Sequence, residues 1–229
     1  MHYLMNDTDF QKILNFLVTV KGLHKNVGRL RTFVEAIYFM AKSGCQWRLL
    51  PYYYGNWRSV HKRYNSWSKN GIWRNLFEYS KRDPDLEWVC LDSTIVRAHS
   101  CASGYEKDSQ EQEALGRSKG GFGTKVHTIV DALGNPLEFI LTAGQRHDIT
   151  QAHALIEKIT NTTVIADTAY YANHFIEKLT MQNCLGEIPP RKNSKQPRSY
   201  DKELYKERHA IECFFGKIKH FRRIFSRYD

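Results

Sequence analysis

Residues 88–96 read WVCLDSTIV, a run of apolar and β-branched residues that surrounds one carboxylate, Asp92. This composition predicts a β-strand buried within a sheet. An ionised carboxylate in a buried strand is energetically costly unless it binds a metal or has a charged partner. The stretch therefore predicts a central strand, and it makes Asp92 a candidate metal ligand.

The chain around this strand falls into two parts with different patterns. Residues 1–82 carry the apolar spacing of amphipathic helices, and the polar stretch 81–85 predicts a boundary before residues 86–229. In the second part we predict strands at 88–96, 124–130, 137–142, 163–166 and 185–188, helices at 149–159, 173–182 and 200–223, and loops at 99–121 and 189–198. This order predicts an α/β fold, a ribonuclease H-like mixed sheet flanked by helices, preceded by a small all-α domain.

The helical part ends in an aromatic and basic segment. Its last two predicted helices are separated by Asn70 and Gly71 and resemble a helix-turn-helix arrangement. Cations interleave with the aromatic residues there, namely Arg58, His61, Lys62, Arg63, Lys69 and Arg74. We expect the tryptophans in the core, and the cations form either a DNA-contacting surface or an ordinary solvated face. The candidate DNA contacts are Arg58, Lys62 and Arg63.

The whole chain is strongly basic. It holds 34 Lys and Arg against 24 Asp and Glu, which leaves a net charge of +10 and favours a polyanionic partner such as nucleic acid. No apolar run approaches the roughly 18–20 residues that span a bilayer. The five cysteines are scattered and form no CxxC pair. These features predict a cytoplasmic protein with free thiols, without a membrane partner or a structural zinc.

Two further carboxylates occupy positions suited to metal-dependent phosphodiester chemistry. Such reactions use two divalent cations roughly 4 Å apart, and these ions prefer carboxylate oxygens. Asp167 directly follows the apolar strand at 163–166, and Glu212 lies in the predicted final helix. Each acid alone has a structural explanation, since Asp167 could cap the next helix. Asp131 in a hairpin turn and Asp148 at a helix start are weaker candidates.

The final predicted helix carries four polar residues on one face. They are separated by three, four and seven positions, namely Tyr205, Arg208, Glu212 and Lys219. An acid flanked by a tyrosine and two cations suits a metal ligand with phosphate-binding neighbours, although an exposed helix face also carries ion pairs of this kind.

These motifs resemble a known family. The spacing Tyr205-x2-Arg208-x3-Glu212-x6-Lys219 matches the signature around the catalytic glutamate of the DDE transposases of bacterial insertion sequences. Within that group, the chain resembles the family numbered fifth. Further blocks follow in that family's order, namely GCQWRLLPYYYGNWRSVHKRYNSW, LDSTIVRAH, GRSKGGFGTKVHTIVDALGNP and IADTAYY. The resemblance covers nearly the whole chain.

The resemblance implies a helical DNA-binding domain over residues 1–82 and a ribonuclease H-like catalytic domain over residues 86–229. Its catalytic acids would coordinate two Mg²⁺ (or Mn²⁺) ions, and they are Asp92, Asp167 and Glu212. Water would nick the element ends, and the freed 3′ hydroxyl would attack target DNA. The DNA backbone would be held by Tyr205, Arg208 and Lys219. A second group would either grip DNA beside the site or belong to a flexible loop, namely Arg117, Lys119 and Lys125.

The expected function is therefore that of an insertion-sequence transposase, which catalyses DNA end cleavage and strand transfer. Its expected partners are double-stranded DNA, as terminal inverted repeats and target, and a second copy of the chain, because two ends must be processed. Family members continue past the position of Arg223 with a further apolar helical stretch, whereas this sequence stops at Asp229. One alternative is thus a truncated, inactive DNA-binding remnant that occupies element ends and inhibits transposition. Another is a nuclease or resolvase that cuts without joining.

Overall fold

The chain folds as a helical unit, Met1–Arg82 with His220–Ile224, and a sheet unit, Asp83–Lys219 with Phe225–Asp229. A computed structural model describes residues 4–23, 26–81, 83–99, 102, 114–118, 120–195 and 197–227. Its helices are α1 (Asp7–Leu17), α2 (Val27–Ser43), α3 (Trp57–Lys69), α4 (Ile72–Ser80), α5 (Ile149–Leu155), α6 (Asn173–Met181), α7 (His209–Lys219) and α8 (Arg222–Phe225). Its strands are β1 (Trp88–Ala98), β2 (Gly116–Ser118), β3 (Gly121–Val130), β4 (Pro136–Ala143), β5 (Thr163–Ala166), β6 (Leu185–Glu187) and β7 (Ser226–Arg227). Within the described residues, no helix combines the length and the apolar character needed to cross a membrane.

The helical unit packs around aromatic side chains, as its sequence predicts. The ring centroids of Phe33 and Trp67 lie 4.8 Å apart, and both residues are buried. Helices α3 and α4 are joined by a short turn in which Gly71 has a φ of +69°, a conformation that glycine adopts without strain. The indole N–H of Trp73 donates to the Tyr64 carbonyl at 3.4 Å and ties the two helices together. The predicted helical region at the N-terminus is confirmed.

Strand β1 is the centre of a mixed sheet. It pairs antiparallel with β3 and parallel with β5, while β4 flanks β3 antiparallel and β6 flanks β5 parallel. Strand β2 pairs with the start of β3, and β7 pairs with the end of β1. Three antiparallel strands followed by two parallel ones, with the first strand in the middle, form the ribonuclease H-like arrangement predicted from the sequence.

Helices cover the two faces of this sheet. On one face, Val89 and Leu91 of β1 join a core that includes Phe175 of α6 and Leu155 of α5. On the other face, Cys90 belongs to a core with Ile211, Phe214 and Phe215 of α7. Because successive side chains of a strand point to opposite faces, Asp92 lies on the same face as Cys90, and Ser93 lies on the face of α5.

The structure departs from the predicted elements at several short segments. The helix predicted at 200–223 is divided into a 3-10 turn (Leu204–Arg208), α7 and α8, and residues His220–Ile224 belong to the helical unit, where the Phe221 ring lies 5.9 Å from that of Tyr38. The loop predicted at 99–121 contains β2. Helix α5 ends at Leu155 rather than at residue 159. These short elements are stabilised by tertiary contacts that no local pattern specifies.

The turn between β3 and β4 lies where the sequence predicts it. The Asp131 carboxylate accepts hydrogen bonds from the backbone N–H groups of Leu133 at 3.0 Å and Asn135 at 2.7 Å. Asp131 thus holds the hairpin turn, in agreement with its interpretation as a turn residue.

Candidate active site

Asp92 and Asp167 lie at neighbouring positions where the parallel pairing of β1 with β5 ends. Leu91 of β1 is paired with Ala166 of β5, and the two acids are the next residues on these parallel strands. The Asp92 side chain is 17% exposed and accepts a 2.7 Å hydrogen bond from the Ser93 N–H. Two carboxylates on adjacent parallel strands can serve a common cation.

Asp167 also has the local structural role that the sequence left open. Its carboxylate accepts a 2.8 Å hydrogen bond from the backbone N–H of Ala169 and caps the 3-10 turn Thr168–Tyr170. One oxygen is used in this bond, and a carboxylate has further lone pairs for another partner.

Arg208 joins the third acid to the first. Its guanidinium donates to the Asp92 carboxylate at 3.2 Å and to the Glu212 carboxylate at 2.8 Å. The Glu212 side chain is 54% exposed, whereas that of Arg208 is 20% exposed. The start of α7 is therefore held at the sheet face where Asp92 lies.

Burial and neighbouring charges shift the pKa values of Asp92 and Tyr205. Burial raises the pKa of Asp92 to about 6, and the charges of Asp167 and Asp148 raise it too, while the Ser93 N–H and Arg208 oppose the shift. Burial likewise raises the pKa of Tyr205, with a smaller contribution from the Asp167 charge. Asp92 lies in a poorly solvated region with an excess of carboxylates.

Tyr170 is a member of this region that the sequence analysis missed. It is fully buried, and its hydroxyl has no hydrogen-bond partner among the described residues. Burial raises its pKa strongly, and the charges of Asp148, Asp92 and Asp167 add to the shift. Its position three residues after Asp167 in the IADTAYY block was the available signal.

Lys125, a predicted DNA contact, has a partner within the chain. Its ammonium lies 2.9 Å from the Asp148 carboxylate and 3.0 Å from the Arg146 carbonyl, and the side chain is 14% exposed. The Ser93 hydroxyl donates to the same carboxylate, and the buried His127 ring lies 3.5 Å from it. Asp148 therefore organises a polar cluster on the α5 face, and one of its partners, Ser93, is the residue after Asp92 on β1.

The other predicted DNA contacts differ in exposure. Arg58 and Lys62 are exposed on α3 and line an open groove of about 640 Å³, while Arg117 and Lys219 are exposed in the sheet unit. Lys119 lies outside the described residues.

Arg63 is half-buried and packs inside the helical unit. Its guanidinium lies 4.4 Å from the Phe33 ring centroid and 5.2 Å from that of Trp67, and burial lowers its pKa. This cation therefore stacks on the aromatic core, in contrast to its neighbours Arg58 and Lys62.

Two family descriptions match the sequence. Residues 83–228 match "Transposase DDE domain", and residues 5–77 match "Putative transposase of IS4/5 family". The "Putative transposase for insertion sequence element IS6501" of Brucella ovis is 42% identical over 108 residues, which cover 45% of this chain and 82% of that protein. The "Uncharacterized protein y4sN" of Sinorhizobium fredii is 38% identical over 101 residues, which cover 44% of this chain and 81% of that protein.

Solved structures of transposases also align with the chain. The piggyBac transposase synaptic complex with hairpin DNA gives a TM-score of 0.46 at 9% identity, and the match covers 84% of this chain and 50% of that one. The pre-cleavage Mos1 transpososome gives 0.31 at 10% identity over 84% of this chain and 77% of that one. The chain thus spans half the length of the piggyBac chain. Because the DDE-domain match covers more than half of its residues, the chain belongs to the DDE transposase family.

Proposed function

We propose that this chain is the metal-dependent enzyme that cleaves the ends of its insertion sequence and joins them to target DNA, with Asp92, Asp167 and Glu212 as the catalytic acids. The supporting observation is that Asp92 and Asp167 follow the paired residues Leu91 and Ala166, while Arg208 binds both Asp92 and Glu212.

The donor set suits Mg²⁺ or Mn²⁺. All three acids provide the hard oxygen ligands that these ions prefer, and the poorly solvated Asp92 carboxylate gains from a compensating cation. Within the described part of the chain, no three His, Cys, Asp or Glu side chains are close enough together to hold a metal, and Arg208 is bound to two of the proposed ligands. We infer that Arg208 turns away from Asp92 or Glu212 when cations bind. Two bound ions would activate the attacking water or 3′ hydroxyl and stabilise the leaving oxygen.

The residues around the acids would position the DNA. A guanidinium that leaves its carboxylate partners can donate two N–H groups to one phosphate, so Arg208 would hold the scissile phosphate. Tyr205 lies half-buried beside it and offers a hydroxyl donor, and the exposed ammonium of Lys219 lies two helical turns beyond Glu212. These three side chains would keep the phosphate in line for attack.

Helix α3 would supply DNA contacts away from the chemistry. Its exposed residues Arg58 and Lys62 line a groove whose other residues are also polar, basic or aromatic. Arg117 on β2 and Lys219 on α7 add exposed cations in the sheet unit. We do not assign Arg63 or Lys125 to this surface, because one stacks on aromatic rings and the other pairs with Asp148.

The substrate would be double-stranded DNA, as the inverted repeats of the element and as the target. One set of acids acts on one end, and transposition processes two ends. We therefore propose that two copies of the chain act together on DNA as a homodimer.

A cleavage and joining assay tests this function. The substrate is a duplex with the inverted repeats that flank the coding region, incubated with Mg²⁺, Mn²⁺ or EDTA and a supercoiled target plasmid. We expect nicking and joining only with a divalent ion, and a loss exceeding about 100-fold in Asp92→Asn, Asp167→Asn and Glu212→Gln, since even supporting residues of metal sites cost 10–100-fold. The exposed Glu203→Gln is the matched control and should act like the parent.

The outcome separates the alternatives. Equal cutting by Asp92→Asn and the parent would refute the assigned acids. Cutting without joining would favour a nuclease, and DNA binding without cutting in either metal would favour an inactive remnant.

A further inference from the structure

The basic loop after β6 forms a cleft that the roles proposed above do not use. The cleft has a volume of about 560 Å³. It is lined by Tyr171, Asn173, Arg191, Lys192, Asn193 and Ser194.

Two chain segments place this cleft at the edge of the sheet that carries Asp167. Tyr171 immediately follows the 3-10 turn Thr168–Tyr170 that the Asp167 carboxylate caps. Strand β6 runs parallel to β5, with Glu187 paired to Ile165, so the loop after β6 leaves from the same edge as the chain after β5. The cleft therefore lies at the same end of the parallel strands as Asp167.

The loop is held by specific contacts. The Tyr171 hydroxyl accepts a 3.3 Å hydrogen bond from the Arg198 N–H, and the Arg198 guanidinium lies 5.9 Å from the Tyr171 ring centroid. A hydrogen bond with the Ser194 side chain, followed by smaller contributions from Arg198, lowers the pKa of Tyr171. At the far end, the Asp201 N–H donates to the Glu187 carboxylate at 2.6 Å. The cations of this loop are thus presented on an anchored segment.

The lining has the chemistry of a phosphate site. Arg191 and Lys192 are exposed, and no acidic side chain in the described part of the chain pairs with either. The remaining lining groups include two amides and a hydroxyl, which can donate to phosphate oxygens, and none of the lining residues is acidic. Contacts of this kind fix the register of a nucleic acid strand without reading its sequence.

We propose that this cleft binds the phosphodiester backbone of the DNA strand beside the bond that is cut, with Arg191 and Lys192 as its principal contacts. This inference rests on the proposed function, because the cleft would make a second contact with the DNA strand that the catalytic acids cleave. That contact would keep the strand in line while Arg208 contacts the scissile phosphate.

Binding in EDTA tests the cleft separately from catalysis. The full-length chain is titrated with a labelled 30-base-pair duplex of the element end at several salt concentrations. We expect Arg191→Gln/Lys192→Gln to bind on the order of tenfold more weakly and to reduce the slope of log K against log salt by about 1.8, since each phosphate contact contributes about 0.9. Lys158→Gln is the matched control, because Lys158 is exposed and precedes β5 at the opposite edge of the sheet; its slope should equal the parent's.

Lysine acetylation locates the contact. We expect the duplex to protect Lys192 and to leave Lys158 reactive, with both variants keeping the parent's circular dichroism. An unchanged salt slope in the double variant, or equal reactivity of Lys192 with and without DNA, would overturn the cleft assignment. The assignment of the catalytic acids is tested by a different measurement: it would be refuted if Asp92→Asn still cleaved DNA. That result would not change the binding measured in EDTA.

Discussion

The Arg208 guanidinium lies 3.2 Å from the Asp92 carboxylate, in a region where both side chains are mostly shielded from water. The same cation also binds Glu212, so one positive charge serves two of the three proposed metal ligands. Without a metal, Arg208 offsets the repulsion and desolvation of the acids. Under the proposed function, a bound metal ion would take over that role, and the Arg208 guanidinium would then be able to contact a phosphate.

Arg208→Gln should therefore destabilise the metal-free protein more than the metal-bound one. Removing one partner of a largely buried ion pair leaves an uncompensated charge, which costs about 3 kcal/mol. We expect a lower Tm in EDTA and a smaller difference from the parent at saturating Mg²⁺, measured by differential scanning calorimetry.

The control is Arg74→Gln, which removes an ion pair with Glu78 on an exposed part of α4. Exposed pairs of this kind contribute about 0.5 kcal/mol, so its Tm should stay close to the parent's in both conditions. An equal loss for Arg208→Gln with and without Mg²⁺ would contradict the exchange of Arg208 for a metal.

The ion pair of Lys125 and Asp148 should be strongly coupled. Lys125→Met leaves a carboxylate that is only 20% exposed without its cation, and Asp148→Asn leaves an ammonium that is 14% exposed. We expect each single variant to lose about 3 kcal/mol and the double variant to lose less than the sum, measured by urea denaturation. Additive losses would show that the two charges do not depend on each other.

Arg63 and the exposed cations of α3 should respond in opposite ways. Arg63→Met removes a cation that stacks on Phe33 and Trp67, so we expect a loss of about 1 kcal/mol in stability with little change in DNA affinity. Arg58→Gln/Lys62→Gln should keep the Tm and bind duplex DNA more weakly, with a smaller salt slope. Thermal denaturation measures the change in stability, and fluorescence anisotropy measures DNA affinity. Weaker DNA binding by a folded Arg63→Met variant would show that Arg63 contacts DNA, as the sequence predicted.

The sequence predicted those features that depend on local pattern. Apolar and β-branched runs located β1 and β5. Asp92 was recognised because a buried charge within a strand requires a partner, and Asp167 because it directly follows a buried strand. Contacts between distant segments were not predictable in the same way. The Lys125 ammonium pairs with Asp148 only because β3 and α5 meet, and Arg63 stacks on Phe33 only because α2 and α3 pack together. For the same reason, the division of the last predicted helix followed from packing rather than from helix propensity.

His127 should make the folded state sensitive to acid. Burial lowers its pKa to about 4, although the Asp148 charge opposes the shift, and Lys125 lowers it slightly further. The unfolded chain then binds a proton on His127 near pH 6.5, whereas the folded protein does so only near pH 4, so this contribution to stability is present above pH 6.5 and is lost as the pH falls towards 4. The His127 Nε2 also lies 2.8 Å from the Thr142 hydroxyl, which fixes the ring in the strand pair β3–β4. We expect the free energy of unfolding to fall by about 2 kcal/mol more between pH 7 and pH 4.5 in the parent than in His127→Gln, measured by urea denaturation at each pH. A profile unchanged by His127→Gln would show that other groups determine the acid sensitivity.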